Sequence, residues 1–582
     1  MIPFLTSLKR ALPLLAAALF SCGKEENPPE PPVPSVTVPT NVKLHNATET
    51  SLTFQWDAVE GAASYQWKLT KDGASAGEGS VNTRNVTVPS LEKATTYGFS
   101  VCAVGVSNTS AYSAVVEGTT KGTPAPPPGP SSQTICIDEP LLLQLDKAPV
   151  LGSSGLIRVF TTDGKEVDRI DLADMATVTV RDDGVMIPKA PMTAETALNT
   201  FMDVLKSGSR YRVVHYTPLR VKDKALEIKL HSGVLNFGAS YYVTVDESVY
   251  GKAVAAGEWN ITVKTKPSTL KVAADGSADF CTVQGALGYA STLSKDAEVT
   301  VEVGSGTFEE MLFLRDKNKV TVKGVSRDAT IIRYPNNESY CSGSGASATS
   351  QPALGKSIGK AGGRGLFLVE NCDELTLQDL TIENSFNEQK GQAETIYFNS
   401  GDNTHRLTIE NCALLSWQDT FLTKGRVWVH KTLIAGHCDY IWGYPDVCLF
   451  EECEIRSRAA GYIVQARVPS ASSKGFVFLR CTLTAESGVK DGSMYLARSG
   501  GDASVFDNVV YVNCTMGPVI AAAGWETSKA PNPATPTATS GWREYGSVDP
   551  SGKAVTGHNS SGKVLTAEEA EPYSSRAAVL GW

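Results

Sequence analysis

The sequence predicts an all-β protein, with a right-handed parallel β-helix in its C-terminal half preceded by two β-sandwich domains. Three observations carry that expectation. From residue 272 onward one short strand unit, ending in cysteine or threonine, keeps returning. Between residues 39 and 121 apolar and polar residues alternate with period two, as half-buried strands require. Proline-rich stretches at 27–34 and 122–132 separate these regions as stiff linkers. A chain of 582 residues with 42% apolar and 20% charged residues has material for several cores. Its net charge of -9 argues against a nucleic-acid partner and offers no attraction to a polyanion.

The N-terminus addresses the compartment. Lys9 and Arg10 precede an apolar run, residues 11–20, too short to span a bilayer. It ends in Leu19-Phe20-Ser21-Cys22, which resembles the lipobox of a bacterial lipoprotein. Residues 1–22 are therefore expected to be a signal peptide with Cys22 acylated, and 23–38 a tether. The charged Gly23-Lys24-Glu25-Glu26 resembles a surface-export signal. An outer-membrane lipoprotein exposed at the cell surface is expected, with a periplasmic or secreted protein as the alternative. Acyl chains hold a protein at a membrane without a spanning helix.

Residues 39–121 place Leu52, Phe54 and Trp56 on one strand face, then Tyr65, Trp67 and Leu69, then Tyr97, Phe99 and Val101. With Leu91-x-x-x-Thr95-x-Tyr97, the segment resembles a fibronectin type III sandwich and its tyrosine corner. After a linker at 122–133, residues 134–266 read as a second all-β region similar to bacterial immunoglobulin-like domains. Its strands include 155–160, 226–230, 241–245 and 259–263. No reactive constellation stands out there.

In residues 267–582 the repeating unit appears as Phe367-Leu368-Val369-Glu370-Asn371-Cys372 and Leu407-Thr408-Ile409-Glu410-Asn411-Cys412. Related units end at Thr432, Cys453, Cys481 and Cys514. From Cys412 the spacings are 20, 21, 28 and 33 residues, and Cys372 lies 40 before it. Stacked coils of strands need such a period. Cys372, Cys412, Cys453, Cys481 and Cys514 are expected as small apolar rungs of one internal ladder. Eleven cysteines remain after Cys22, and an odd number cannot all pair internally. Paired C-x-x-C metal spacing is absent, so no metal and no cofactor are expected.

Within this solenoid lie Gln392-Ala393, Trp417-Gln418-Asp419-Thr420-Phe421, Asp439-Tyr440-Ile441-Trp442-Gly443 and Leu496-Ala497-Arg498. In that order these segments resemble the pectin methylesterase (pectinesterase) family, over about 300 residues. Asp419 and Asp439 are 20 residues apart, one coil, which stacks them on adjoining turns. The resemblance implies demethylation of pectin with release of methanol. Asp439 is then the nucleophile, forming an acyl-enzyme, and Asp419 the acid and base, its pKa raised by the second carboxylate. Gln392 and Gln418 would supply uncharged oxyanion donors, and Arg498 would hold Asp439 ionised. Trp442, Tyr440 and Arg467 are expected to touch substrate: Trp442 by stacking, Arg467 through a substrate carboxylate.

The chain departs from the family pattern in three places. Arg498 is followed by Ser499-Gly500 where Pro-Trp is usual, and Tyr440 and Trp442 stand where phenylalanines are usual. Residues 342–364, rich in Gly, Ser and Lys, read as an inserted loop near the groove. A branched or decorated pectin is thus as fitting a substrate as plain homogalacturonan. The rival readings are a non-catalytic β-helix that binds polysaccharide, and another β-helix pectinase. The first has no need of paired carboxylates. The second needs a different carboxylate set or a calcium cluster. The protein is expected to act as a monomer.

Overall fold

A computed structural model describes residues 35–121, 132–360, 362–386, 389 and 391–582. The leader with Cys22, tether residues 23–34 and linker residues 122–131 lie outside the described residues. The chain divides into two compact units, 1–127 and 128–582.

In the first unit a three-stranded and a four-stranded antiparallel sheet close over Leu52, Phe54, Trp56, Tyr65, Leu69, Tyr97, Phe99 and Val101, all buried. Trp67 is only partly covered. Phe54 stacks on Phe99 at 4.2 Å between ring centroids. The Tyr97 hydroxyl accepts from the Glu92 N–H at 3.0 Å, which pins the chain where it enters the strand Thr96–Gly105.

The second unit opens with two sheets, five-stranded and three-stranded, that share a core around Trp259, Tyr241 and Leu226. This region packs directly on the solenoid. Arg212, 1% exposed, donates to the carbonyls of Leu312, Gly362, Gly363, Gly365 and Leu366. Burial lowers its pKa to about 10, and the five carbonyls compensate the lost water. At the same junction Cys136, Glu139 and Cys281 bring three possible metal donors within 4.8 Å of one another. The Lys264 ammonium, 3.2 Å from Cys136 Sγ, already supplies the positive charge there.

The rest is a parallel β-helix. Twenty-three strands, from Lys271–Val272 to Gly562–Val564, form one continuous parallel ladder in which each strand pairs mainly with strands one coil away. Every full coil has three faces. The first carries Leu407, Val427, Cys448 and Phe476 in register, the second Leu414, Ile434, Ile455 and Leu483, the third Phe421, Ile441, Val464 and Ala497. From Leu375–Gln378 onward each corner between first and second face is turned by a residue in the left-handed region: Asp379, Asn411, Lys431, Glu452, Arg480, Asn513 and Gly546.

The rung after each of these residues is buried: Leu380, Cys412, Thr432, Cys453, Cys481, Cys514 and Ser547. Backbone bonds link neighbouring rungs, Leu433 N–H to Cys412 O and Thr482 N–H to Cys453 O. Cys372 corrects the expected ladder. Its strand, Phe367–Glu370, pairs with Leu312–Arg315 and Ile396–Asn399 on the third face, so Cys372 turns a different corner. Two nearly identical sequences, 367–372 and 407–412, serve two different corners because both need only an inward apolar strand and a small buried turn residue.

Candidate active site

The corner between the second and third faces gathers the candidate residues. Gln392 bridges in parallel to Gln418, and Gln418 to Cys438. The Asp419 N–H donates to Cys438 O at 3.0 Å, and Phe421 pairs with Ile441. Asp419 therefore lies over Asp439 on consecutive coils, as the 20-residue spacing predicts. Both residues hold positive φ, 62° and 47°. Asp tolerates the left-handed region better than most residues, and backbone held there concentrates at functional sites.

Gly443 completes the second motif for a steric reason. It pairs with Thr423, its φ is 131°, and a Cβ there would lie 2.2 Å from Thr423 O.

The two aspartates are almost equally buried, 3% and 5% exposed, but their partners differ. Asp439 is held by Arg498, whose Nε reaches Oδ1 at 2.8 Å while Nη2 bonds Oδ2. That bond also raises the Arg498 pKa further. Gln465 Nε2 donates to Asp439 Oδ2 at 3.0 Å. Among the described residues the Asp419 side chain has one hydrogen-bond partner, Arg364 Nη2 at 3.4 Å. Its pKa stands well above the usual carboxylate range, first through burial, then through the charges of Glu394 and Asp439, with Arg364 and Arg467 opposing. One carboxyl is thus gripped by a cation and the other favours its proton.

Gln392 and Gln418 are half-buried at the same corner, and among the described residues neither side-chain amide has a hydrogen-bond partner. Their N–H groups are free to meet an incoming oxygen. Cys438, which precedes Asp439 and pairs with Gln418, has its thiol pushed up to about 12 by burial, and so stays protonated.

The expected substrate contacts fare differently. Tyr440 is wholly buried, its hydroxyl near Ser457 Oγ at 3.4 Å, and does not face the groove. The ladder shifts register between Cys438 and Ile441, which turns Tyr440 and Ile441 inward in succession. Trp442 lines a cleft of about 530 Å³ with Tyr397, Lys424 and Tyr444, but is only 6% exposed and lies under Arg467, 5.0 Å away. Arg467 Nε and Nη2 bond Gln465 Oε1 at 3.0 and 2.6 Å, and Nη1 donates to the Tyr444 hydroxyl at 3.1 Å. Arg467 thereby buttresses the glutamine that holds Asp439.

Beyond Arg498, where a tryptophan was expected to be missing, Arg467, Ser499, Gly500, Asp502 and Asp507 line an open recess of about 190 Å³.

Four participants escaped the sequence reading: Gln465, Tyr444, Glu394 and Arg364. Gln465 was within sight, since it sits two residues before Arg467 in the segment 461–467.

The chain is similar to known proteins. A family model described as Pectinesterase matches residues 269–581, more than half of the chain, and one described as Fibronectin type III domain matches 37–119. The chain belongs to the pectinesterase family. "Pectinesterase 31" of Arabidopsis thaliana is 31% identical over 260 residues, covering 44% of this chain and 76% of the relative. "Pectinesterase A" of Emericella nidulans is 26% identical over 285 residues, covering 48% and 81%. Among solved structures, the Aspergillus niger pectin methylesterase is similar at 23% identity and a TM-score of 0.43, covering 55% of this chain and 95% of that one. The pectinesterase domain occupies the β-helix, and the stacked aspartates lie within it.

Removing the Gln465 contact should weaken the site without dismantling it. A hydrogen bond to a charged group contributes about 1.5–3 kcal/mol. Gln465→Leu is expected to lower kcat for ester hydrolysis by roughly ten- to 100-fold, read in a steady-state methanol-release assay, with the thermal midpoint little changed.

Proposed function

We propose that this pectinesterase hydrolyses the methyl esters of pectin by covalent catalysis on Asp439 with Asp419 as the proton carrier. The observation that carries the reading is the unequal environment of two carboxyls stacked on one corner. The Asp439 carboxylate, aimed by Arg498 and Gln465, attacks the ester carbonyl. The oxyanion forms beside the unpartnered amides of Gln392 and Gln418. Methoxide leaves with the proton of Asp419, giving methanol and an acyl-enzyme anhydride on Asp439. Asp419, now a carboxylate, takes a proton from water, whose hydroxide attacks the anhydride. Asp439 departs as carboxylate, the galacturonate acid is released, and Asp419 is protonated again.

The substrate reading follows from the family and from the cleft beside the site, where Tyr397, Tyr444 and Trp442 surround Lys424. Methanol release from esterified pectin tests the scheme. Asp439→Ala is expected to lose roughly 10⁴-fold or more of kcat. Asp419→Asn, unable to deliver a proton, should lose about 10²–10⁴-fold. Full activity in either variant contradicts the assignment.

The chain's placement is proposed from sequence: a monomer tethered to the outer membrane through an acylated Cys22, on the strength of Leu19-Phe20-Ser21-Cys22. Cys22→Ser should release the enzyme from the membrane fraction of the producing cell. Recovery of the variant in that fraction rules out the anchor.

A further inference from the structure

Behind Asp419 lies a second charged cluster that the scheme above does not use. Arg364, 6% exposed, is surrounded by three carboxyl groups. Its Nε stands 3.0 Å from each oxygen of Glu394, its Nη1 2.6 Å from Glu338, and its Nη2 3.4 Å from Asp419. Glu394 is fully buried, two residues beyond Gln392 on the same coil, and Arg364 is its side-chain partner. Glu338 is 42% exposed on the solvent side.

A buried ion pair is a poor route to stability, since an apolar pair of similar volume is often as good or better. The place of this one matters more. The short contacts of the guanidinium go to the two glutamates and its longest goes to Asp419. Without them, a naked cation at that distance would favour the charged form of Asp419 and leave the leaving group without its proton. The groups facing Asp419 are Glu394 and Arg364 behind it, Asp439 on the next coil, and Arg467 beyond.

We propose that Glu394 and Arg364 are positioning residues for the general acid: Arg364 holds Asp419 in place, and Glu394 balances the Arg364 charge so that Asp419 keeps its proton. The inference rests on the acid role of Asp419 proposed above. Burial pushes Glu394 up to about 7 against the pull of Arg364, so the balance is itself close to titrating near neutral pH.

The test is the pH profile of kcat/KM for methanol release from esterified pectin, with folding followed by thermal melting. In wild type, activity falls as rising pH strips the proton from Asp419. Glu394→Gln leaves Arg364 under-compensated, so this alkaline limb should move to lower pH by about one unit. Arg364→Gln combined with Glu394→Gln removes both charges and should bring the limb back toward wild type. Glu338→Gln, altered on the solvent side, should shift it the same way by less, and serves should Glu394→Gln fail to fold.

A limb that stays put in folded Glu394→Gln and Glu338→Gln, or a uniform loss across all pH, overturns the proposal while Asp419→Asn remains inactive. An active Asp419→Asn overturns the acid role and this proposal with it.

Discussion

Neighbouring strands of a parallel sheet lie about 4.8 Å apart, and a β-helix imposes that spacing on any two residues one coil apart. Asp419 and Asp439 are such a pair, fixed by the bridge of Gln418 to Cys438 and the pairing of Phe421 with Ile441. Two full negative charges at that separation repel by on the order of 3 kcal/mol in a partly polar interior, or about two pKa units. The register therefore adds to the cost of charging both, on top of the burial that comes first in raising the Asp419 pKa. Two copies of the same side chain are thereby set side by side in unequal surroundings.

The surroundings of the two copies differ. Arg498 and Gln465 descend from the next coils of the third face, Gln465 in register with Trp442. Both end on Asp439. On the opposite side, Asp419 meets a guanidinium already held by Glu394 and Glu338. The asymmetry runs along the helix axis: cation-rich beyond Asp439, carboxylate-rich behind Asp419.

Much of this was legible in the sequence because a solenoid converts spacing into stacking. The 20-residue separation of the aspartates, the cysteine and threonine rungs after Cys412, and the fibronectin core positions all depend on local periodicity. The misses have a common cause in corners. Cys372 follows the same short pattern as Cys412, yet its strand pairs on the third face, and only long-range pairing distinguishes the two. Tyr440 was expected at the groove because it neighbours Asp439, but the register shift after Cys438 breaks strict alternation and turns it inward. Glu394 and Arg364 are 30 residues apart and meet only when the coil closes, and Arg364 ends a stretch whose composition reads as a surface insertion.

The charge state of the stacked pair can be read directly by infrared difference spectroscopy of the resting enzyme at neutral pH. Wild type should show the carbonyl stretch of protonated buried carboxyls, to which Glu394 also contributes, with the intensity of one carboxyl lost in Asp419→Asn and retained in Asp439→Asn. An intensity unchanged by Asp419→Asn but reduced in Asp439→Asn would contradict the division of roles between the two aspartates.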